Sequence, residues 1–310
     1  MMIALLIGLA ACGGNVVISD AKPGERTITI SESTFFKYLQ ESSGMWEFAQ
    51  RFFDDTIIYK SQKTGGWGYE RVNRDLPLSD YNWDNLRHAG PITRTEWEYY
   101  EGSELKSIKG IDVSVYQGDI NWEKVAADGV QFAYIRLGYR GYNEGVFAVD
   151  VNFEKNITGA IDAGIPVGIY FVTRAITVDE AVEEADWVID KIKGYDTSWP
   201  VMLDLESAGA LGARDNDLTA EERTDIIIAF CERIKEKGYG DVLLYSNIGY
   251  FLDYMQLERL TDYDKWFAQY FNRPFFPYAF SIWQYTSSGR VDGISGNVDL
   301  NIAFKDYGAK

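Results

Sequence analysis

Pro200-Val-Met-Leu-Asp-Leu-Glu206 is an apolar run that ends in two acids, and it sits between two amphipathic helical stretches, Val178–Lys193 and Ala220–Lys237. Gly194 and Gly238 follow those stretches, as helix C-terminal signals should. The same alternation extends in both directions. Upstream, Ile108–Ser114, Phe132–Gly138 and Val167–Thr173 are strand candidates, separated by helical stretches Asn121–Asp128 and Asn152–Ala163 that end at Gly129 and Gly164. Downstream, Val242–Ser246, Lys265–Gln269, Ser281–Tyr285 and Val298–Ile302 complete eight strands, the last ones without full helices between them. Strands alternating with helices build parallel sheets, and eight of them predict an irregular TIM-like (β/α) barrel, a mixed α/β fold with incomplete helices in its last third. In such a barrel the active site gathers at the C-terminal ends of the strands.

The composition limits the chemistry. The 310 residues carry 30 Lys+Arg against 47 Asp+Glu, a formal net charge of -17. A field of that sign repels phosphate backbones, so nucleic acid is not an expected partner. His88 is the single histidine and lies in a Gly/Pro-rich stretch, where it reads as an ordinary surface residue. With one imidazole, a Ser-His-Asp triad and multi-His zinc sites are poorly supported, which leaves acid–base work to carboxylates. No metal or cofactor is expected. Gly138, Gly141 and Gly145 lack the G-x-G-x-x-G spacing of a dinucleotide site.

The two cysteines have separate explanations. Cys231 shares one helical face with Ile227, Phe230 and Ile234, which predicts a buried core thiol. Cys12 closes Leu9-Ala-Ala-Cys12 after the apolar run Met2–Leu9, which is too short to span a membrane. Residues 1–11 resemble a bacterial lipoprotein signal whose lipobox ends at Cys12, the residue expected to carry lipid; no Lys or Arg precedes the run, which departs from that pattern. The protein is therefore expected to be exported, either secreted or held at the cell envelope by a membrane anchor. Residues 12–106 form an aromatic-rich accessory or linker region with a strand-like Arg26–Ile30, amphipathic stretches at Phe35–Leu39 and Trp46–Phe53, and a break at Gly65–Gly68. Residues 107–310 form the barrel, expected to be a monomer.

Acidic residues at strand ends single themselves out from the solvated remainder. Leu203 and Leu205 flank Asp204, so period-2 alternation sends Asp204 and Glu206 to one face, roughly 6–7 Å apart along the strand. From there two carboxyl groups can straddle one substrate atom. An acidic face on an apolar strand is costly unless solvent or substrate lies against it, or unless a buried Arg pairs with it as a structural ion pair. Asp112 in Lys109-Gly-Ile-Asp-Val-Ser114 and Asp299 in Gly296-Asn-Val-Asp-Leu-Asn301 end other strand candidates in the same way.

These segments also carry a resemblance. Gly110-Ile-Asp-Val-Ser114 with Gln117, Ile120-Asn-Trp-Glu-Lys-Val125, Tyr134-Ile-Arg-Leu-Gly138, Gly168-Ile-Tyr-Phe171, the Asp204-Leu-Glu206 pair, Trp266-Phe-Ala-Gln-Tyr270, Ile282-Trp-Gln-Tyr285 and Gly296–Asn301 together resemble glycoside hydrolase family 25, the Chalaropsis-type lysozymes. The resemblance implies a peptidoglycan hydrolase cleaving the β-1,4 bond between N-acetylmuramic acid and N-acetylglucosamine. It implies Glu206 as general acid, held neutral by the anions Asp204 and Asp112 beside it, with Asp204 ionised and Asp112 and Asp299 completing the acidic floor. Tyr170, Tyr245, Trp266, Tyr270 and Trp283 are candidate sugar-binding aromatics, with Gln269 and Gln284 adding amide hydrogen bonds; each is equally readable as barrel core. Arg136 and Arg140 are candidates to meet a substrate carboxylate or the acidic cluster. Two other functions are compatible with the same residues: a non-catalytic peptidoglycan-binding lipoprotein, and a barrel glycosidase for another 2-acetamido glycan such as chitin. On either reading residues 12–106 serve as a spacer or as a wall-binding module.

Overall fold

A computed structural model describes residues 6–8, 15–19, 27–42, 45–52, 55–90 and 96–308. The chain divides into two compact units. The smaller comprises residues up to Ile58 together with Tyr69–Val72. In it three antiparallel strands, Leu6–Gly8, Asn15–Ser19 and Thr27–Ser31, precede helices Glu32–Glu41 and Met45–Gln50. The predicted strand and both amphipathic stretches are thus present. Ser31 caps the first helix by accepting the Thr34 N–H, and Phe35, Phe48 and Phe52 pack edge-on with centroids 5.0–5.3 Å apart. Cys12, the expected lipidation site, lies outside the described residues. No helix among the described residues is long and apolar enough to cross a membrane.

The larger unit holds the barrel. All eight predicted strands form: β1 (Ile108–Val113), β2 (Phe132–Arg140), β3 (Val167–Val172), β4 (Val201–Asp204), β5 (Val242–Asn247), β6 (Lys265–Ala268), β7 (Ile282–Gly289) and β8 (Val298–Ala303). They are hydrogen-bonded in that order, and β1 pairs with β2 as well as β8, which closes the sheet. Seven strands run parallel. β8 is antiparallel to both β7 and β1, where sequence pattern led us to expect a parallel barrel. The reversal follows from the short β7–β8 connection, which carries no helix: a hairpin joins only antiparallel strands, whereas a parallel return needs a crossover.

The four expected helices are α1 (Trp122–Ala127), α2 (Phe153–Asp162), α3 (Val178–Ile192) and α4 (Ala220–Glu236), and a short fifth, α5 (Ile248–Tyr254), follows β5. Thr219 and Glu222 form a reciprocal capping box at the start of α4. Gly129, Gly164, Gly194 and Gly238 all have positive φ, which is why glycine stands after each helix. Cys231 is buried on α4, and burial pushes its thiol far above the ordinary range. His88 is exposed, on a strand (Leu86–Ala89) rather than a turn, edge-on to Trp97.

The larger unit reaches upstream of residue 107, the expected start of the barrel. It also contains residues 59–68 and 73–106. Tyr81 stacks on Phe304 at 4.3 Å, Trp83 stacks on Phe280 at 5.7 Å, and the backbone of Pro77 and Ser79 bonds that of Ala279 and Pro277. The aromatic richness of this stretch serves barrel packing.

Inside the barrel, Phe132, Tyr134, Tyr170, Met202, Leu243, Tyr245, Trp266 and Ile282 form one cluster closed by Trp199, which stacks on Phe132 at 4.1 Å. Gly110 faces this layer, and a Cβ there would stand 2.1 Å from the Phe132 ring. The ring is trapped against Trp199 and has nowhere to retreat. Gly110→Ala is expected to cost about 1–3 kcal/mol, read as a lower denaturation midpoint with unchanged m-value.

Candidate active site

Alternation along each strand decides what faces the barrel interior. On β4 it is Met202 and Asp204. The segment beyond β4 keeps this alternation because Leu205 continues pairing with β5: its N–H donates to Tyr245 O at 3.0 Å and its carbonyl accepts from Ser246 Oγ at 2.5 Å. Leu205 is consequently buried outward, and Glu206 falls on the face of Asp204. Asp112, from β1, is the direct cross-strand neighbour of Asp299, from the start of β8. Because β8 runs backwards, its first residues rather than its last reach the mouth of the barrel. The four carboxyls are thereby brought to one end, the C-terminal end of the parallel strands.

Their surroundings differ. Asp112 is buried, and its Oδ2 accepts from Gln284 Nε2 at 2.9 Å and Asn301 Nδ2 at 2.8 Å. The orientation of both amides is fixed chemically. Trp266 Nε1–H can only donate and does so to Asn301 Oδ1 at 2.9 Å, so the Asn301 amino group must point to Asp112. Gln284 is oriented by Asp112 itself, an acceptor-only carboxylate that takes its amino group and leaves Oε1 to the hydroxyls of Tyr245 and Tyr270, both at 2.8 Å. Burial raises Asp112 to about 6, the two amides restraining the rise. Burial, then the charges of Asp112 and Glu206, push Asp299 to about 8. At neutral pH the cross-strand pair therefore holds one charge, on Asp112, and one proton, on Asp299.

The second pair behaves similarly. Asp204 is pushed well above the carboxylate range by burial and the Glu206 charge, with Arg174 opposing; its Oδ1 is buried without a hydrogen-bond partner. Glu206 is raised by burial and by Asp112, again opposed by Arg174. Sequence reasoning had Asp204 ionised; its depth and its orphaned oxygen make that charge costly to hold. Asp204 and Glu206 thus titrate as a pair.

A carboxyl raised in the fold keeps a proton that the unfolded chain has lost, so stability falls as pH climbs from the unfolded value, near 4, through the folded one. For Asp299 that window is about pH 4 to 8. Asp299→Asn removes the cost of ionising it. The expected outcome is a Tm higher by roughly 2–4 °C at pH 8 and unchanged at pH 4, by scanning calorimetry at both.

Of the aromatic and amide candidates, Tyr170, Tyr245, Trp266, Tyr270 and Gln284 surround the acids; Trp266 is wholly buried and acts through Asn301, while Tyr270 is half exposed. Two candidates are not brought there. Trp283 alternates with Gln284, faces outward, and donates to Gln269 O at 2.8 Å. Gln269 lies one residue past the inward Ala268, and its Oε1 accepts the Phe275 N–H, bracing the loop after β6. Arg140 is also elsewhere, tied to Glu184 and Glu183 beside α3. Three residues were missed. Asn301 shares the period-2 face of Asp299, a signal present in the sequence. Tyr134 is buried in the barrel with an unpartnered hydroxyl. Arg174 follows β3 opposite the end of β4, where the Thr173 N–H meets the Asp204 carbonyl at 3.4 Å.

Comparison with known proteins agrees with this geometry. The sequence profile of glycosyl hydrolases family 25 matches residues 111–294. Lysozyme M1 of Streptomyces globisporus is 30% identical over 224 residues, 69% of this chain and 72% of that protein. Among solved structures, a bacterial lysozyme from Streptomyces coelicolor is 28% identical with a TM-score of 0.53, covering 63% of this chain and 90% of that one. A family 25 glycosyl hydrolase from Bacillus anthracis is 26% identical with a TM-score of 0.56, covering 70% and 96%.

Proposed function

Because the chain belongs to glycosyl hydrolases family 25, we infer that it is a lysozyme, an exported peptidoglycan hydrolase that cleaves the β-1,4 bond between N-acetylmuramic acid and N-acetylglucosamine. The observation that carries the reading is the convergence of Asp112, Asp204, Glu206 and Asp299 at one barrel mouth, with their carboxyls raised. Turbidity loss of purified peptidoglycan, with muramic acid at the newly formed reducing ends, is the expected result; new reducing ends of N-acetylglucosamine alone would overturn the assigned bond.

Our reading of the roles proceeds from charge. Glu206 gives its proton to the glycosidic oxygen as the bond to muramic acid C1 breaks; the less buried member of its pair, it is the one a leaving group reaches. As the proton departs, positive charge grows at C1 and the ring oxygen. Asp204 and the Asp112 anion stabilise that charge, and the orphaned Oδ1 of Asp204 is suited to the N–H of the 2-acetamido group. Tyr170, Tyr245 and Tyr270 pack and hydrogen-bond the sugar, and Gln284 with Asn301 holds Asp112 in place. Arg174 keeps the pair from rising so far that neither acid ionises.

We further propose that a lipid anchor at Cys12 holds the enzyme, as a monomer, at the envelope. Peptidoglycan is itself anionic, so charge attraction does not bring a chain of net charge -17 to it. Metabolic labelling with an alkyne fatty acid is expected to mark the protein and to miss Cys12→Ala; equal labelling excludes the anchor.

A further inference from the structure

Arg136 is unused by this chemistry, yet it lies at the same mouth. It follows Tyr134 by two residues on the inward face of β2; Tyr134 is the strand partner of Asp112, and Arg136 is the strand partner of Tyr170. Its guanidinium is held firmly. Nε donates to Asp150 Oδ2 at 2.7 Å, Nη2 forms an ion pair with the same oxygen at 2.7 Å, and the Asp150 side chain is fully buried. Asp150 is fixed in turn by the N–H groups of Val115 and Asn152, at 3.0 and 2.9 Å. The ring of Tyr116, 83% exposed, stands 5.2 Å from Arg136 Cζ. Among the described residues Nη1 has no hydrogen-bond partner, so one edge of the fork remains for a ligand. Arg174 differs: its Nη1 already donates to Thr173 O at 2.7 Å.

We propose that Arg136, splinted by Asp150 beneath the Tyr116 ring, receives the carbonyl oxygen of the lactyl ether on muramic acid, a carboxylate in peptide-free strands and an amide where a stem peptide is attached, and so makes the site select muramic acid over N-acetylglucosamine. The inference rests on the lysozyme reading and names a specificity residue for that same site. The two sugars differ only by that ether on C3. C3 neighbours C2, whose acetamido group meets Asp204, and Arg136 stands one pleat above the level of Asp112, roughly 6–7 Å along the strand. A cation there is out of place for acid–base work among raised carboxyls, but it suits an acceptor oxygen that arrives on the lactyl group of the substrate. A fork fixed in advance by a buried Asp loses little side-chain entropy on binding.

The test is calorimetric binding in a Glu206→Gln background, which turns its ligand over slowly against the time of a titration. The probes are a peptide-free tetrasaccharide of alternating N-acetylglucosamine and N-acetylmuramic acid, and chitotetraose. The parent is expected to bind the lactyl-bearing probe on the order of ten-fold tighter. Arg136→Gln should equalise the two probes, and Arg136→Lys should retain part of the preference, because the charge persists without the fork. Arg136→Gln leaves Asp150 unpaired and risks unfolding, so Arg136→Lys at unchanged Tm decides if the first variant fails. No preference in the parent, or full preference in Arg136→Lys, overturns the proposal. Loss of lysozyme activity is a separate outcome: if the wild type releases no reducing ends from peptidoglycan, the underlying reading falls; if it does, only the role of Arg136 is at stake.

Discussion

Glu206→Gln is expected to lower kcat on peptidoglycan by roughly 10²–10⁴-fold, the range that a general acid contributes, with KM changed little. Glutamine fills the same space and still offers an N–H, but it has no proton to give up to a departing oxygen. The fold should not suffer. Burial and the Asp112 charge already disfavour the ionised carboxyl, so a neutral amide leaves Tm equal or slightly higher at pH 7. An aryl glycoside of the same sugar with an acidic phenol as leaving group needs far less protonation, and it should recover most of the lost rate. A uniform loss on both substrates would show that Glu206 serves the fold or the binding of sugar instead; activity within ten-fold of wild type would remove it as the acid.

Asp204→Asn is expected to reduce kcat by about 10²–10³-fold, the cost of losing a preorganised charge at the developing cation. This substitution also separates two explanations for an acid on an apolar strand. If Asp204 is there to balance a buried Arg, its loss leaves Arg174 with Asp215 alone, 3.9 Å away, and Tm falls. If it is held strained for catalysis, its buried, unpartnered Oδ1 is a burden on the fold, and the neutral amide raises Tm at neutral pH while activity collapses. We expect the second pattern. The gain in Tm should shrink as pH falls, because acid supplies the missing proton to wild-type Asp204. Thermal denaturation at pH 7 and pH 4, set beside reducing-end release, distinguishes the two.

Most of the barrel was legible because its strands and helices differ in period, and glycines mark where α1 to α4 stop. What escaped has physical reasons. A period of two is the same read in either direction, so the pattern of Val298–Ala303 carried no sign of its reversal. Helix α5 has seven residues with a glycine near its start, too few turns for a 3.6-residue period to emerge. Within the site, Asp204 and Glu206 were readable from Leu203 and Leu205 alone. Trp283 was misplaced although the same rule applied: with Gln284 inward, its neighbour had to face out. Asn301 was passed over because an amide between apolar residues gives no hint of its partner, which comes from β1, 189 residues away in sequence. The cost of a charge on Asp204 was hidden for a related reason, since a sequence shows that a carboxyl is present but not that one of its oxygens meets nothing.

Trp266 has a consequence out of proportion to its distance from the substrate. Asn301 and Gln284 are each nearly symmetric in shape, so either could turn over by half a revolution without disturbing the packing, yet the reversed forms would present oxygen to Asp112 and repel it. The indole, which can only donate, breaks that degeneracy for Asn301; the phenols on Gln284 donate and accept alike and leave its direction to Asp112. What the indole contributes is a sense of direction more than adhesion. Trp266→Phe would erase half of that instruction, leaving the Asp112 carboxylate alone to hold Asn301 the right way round.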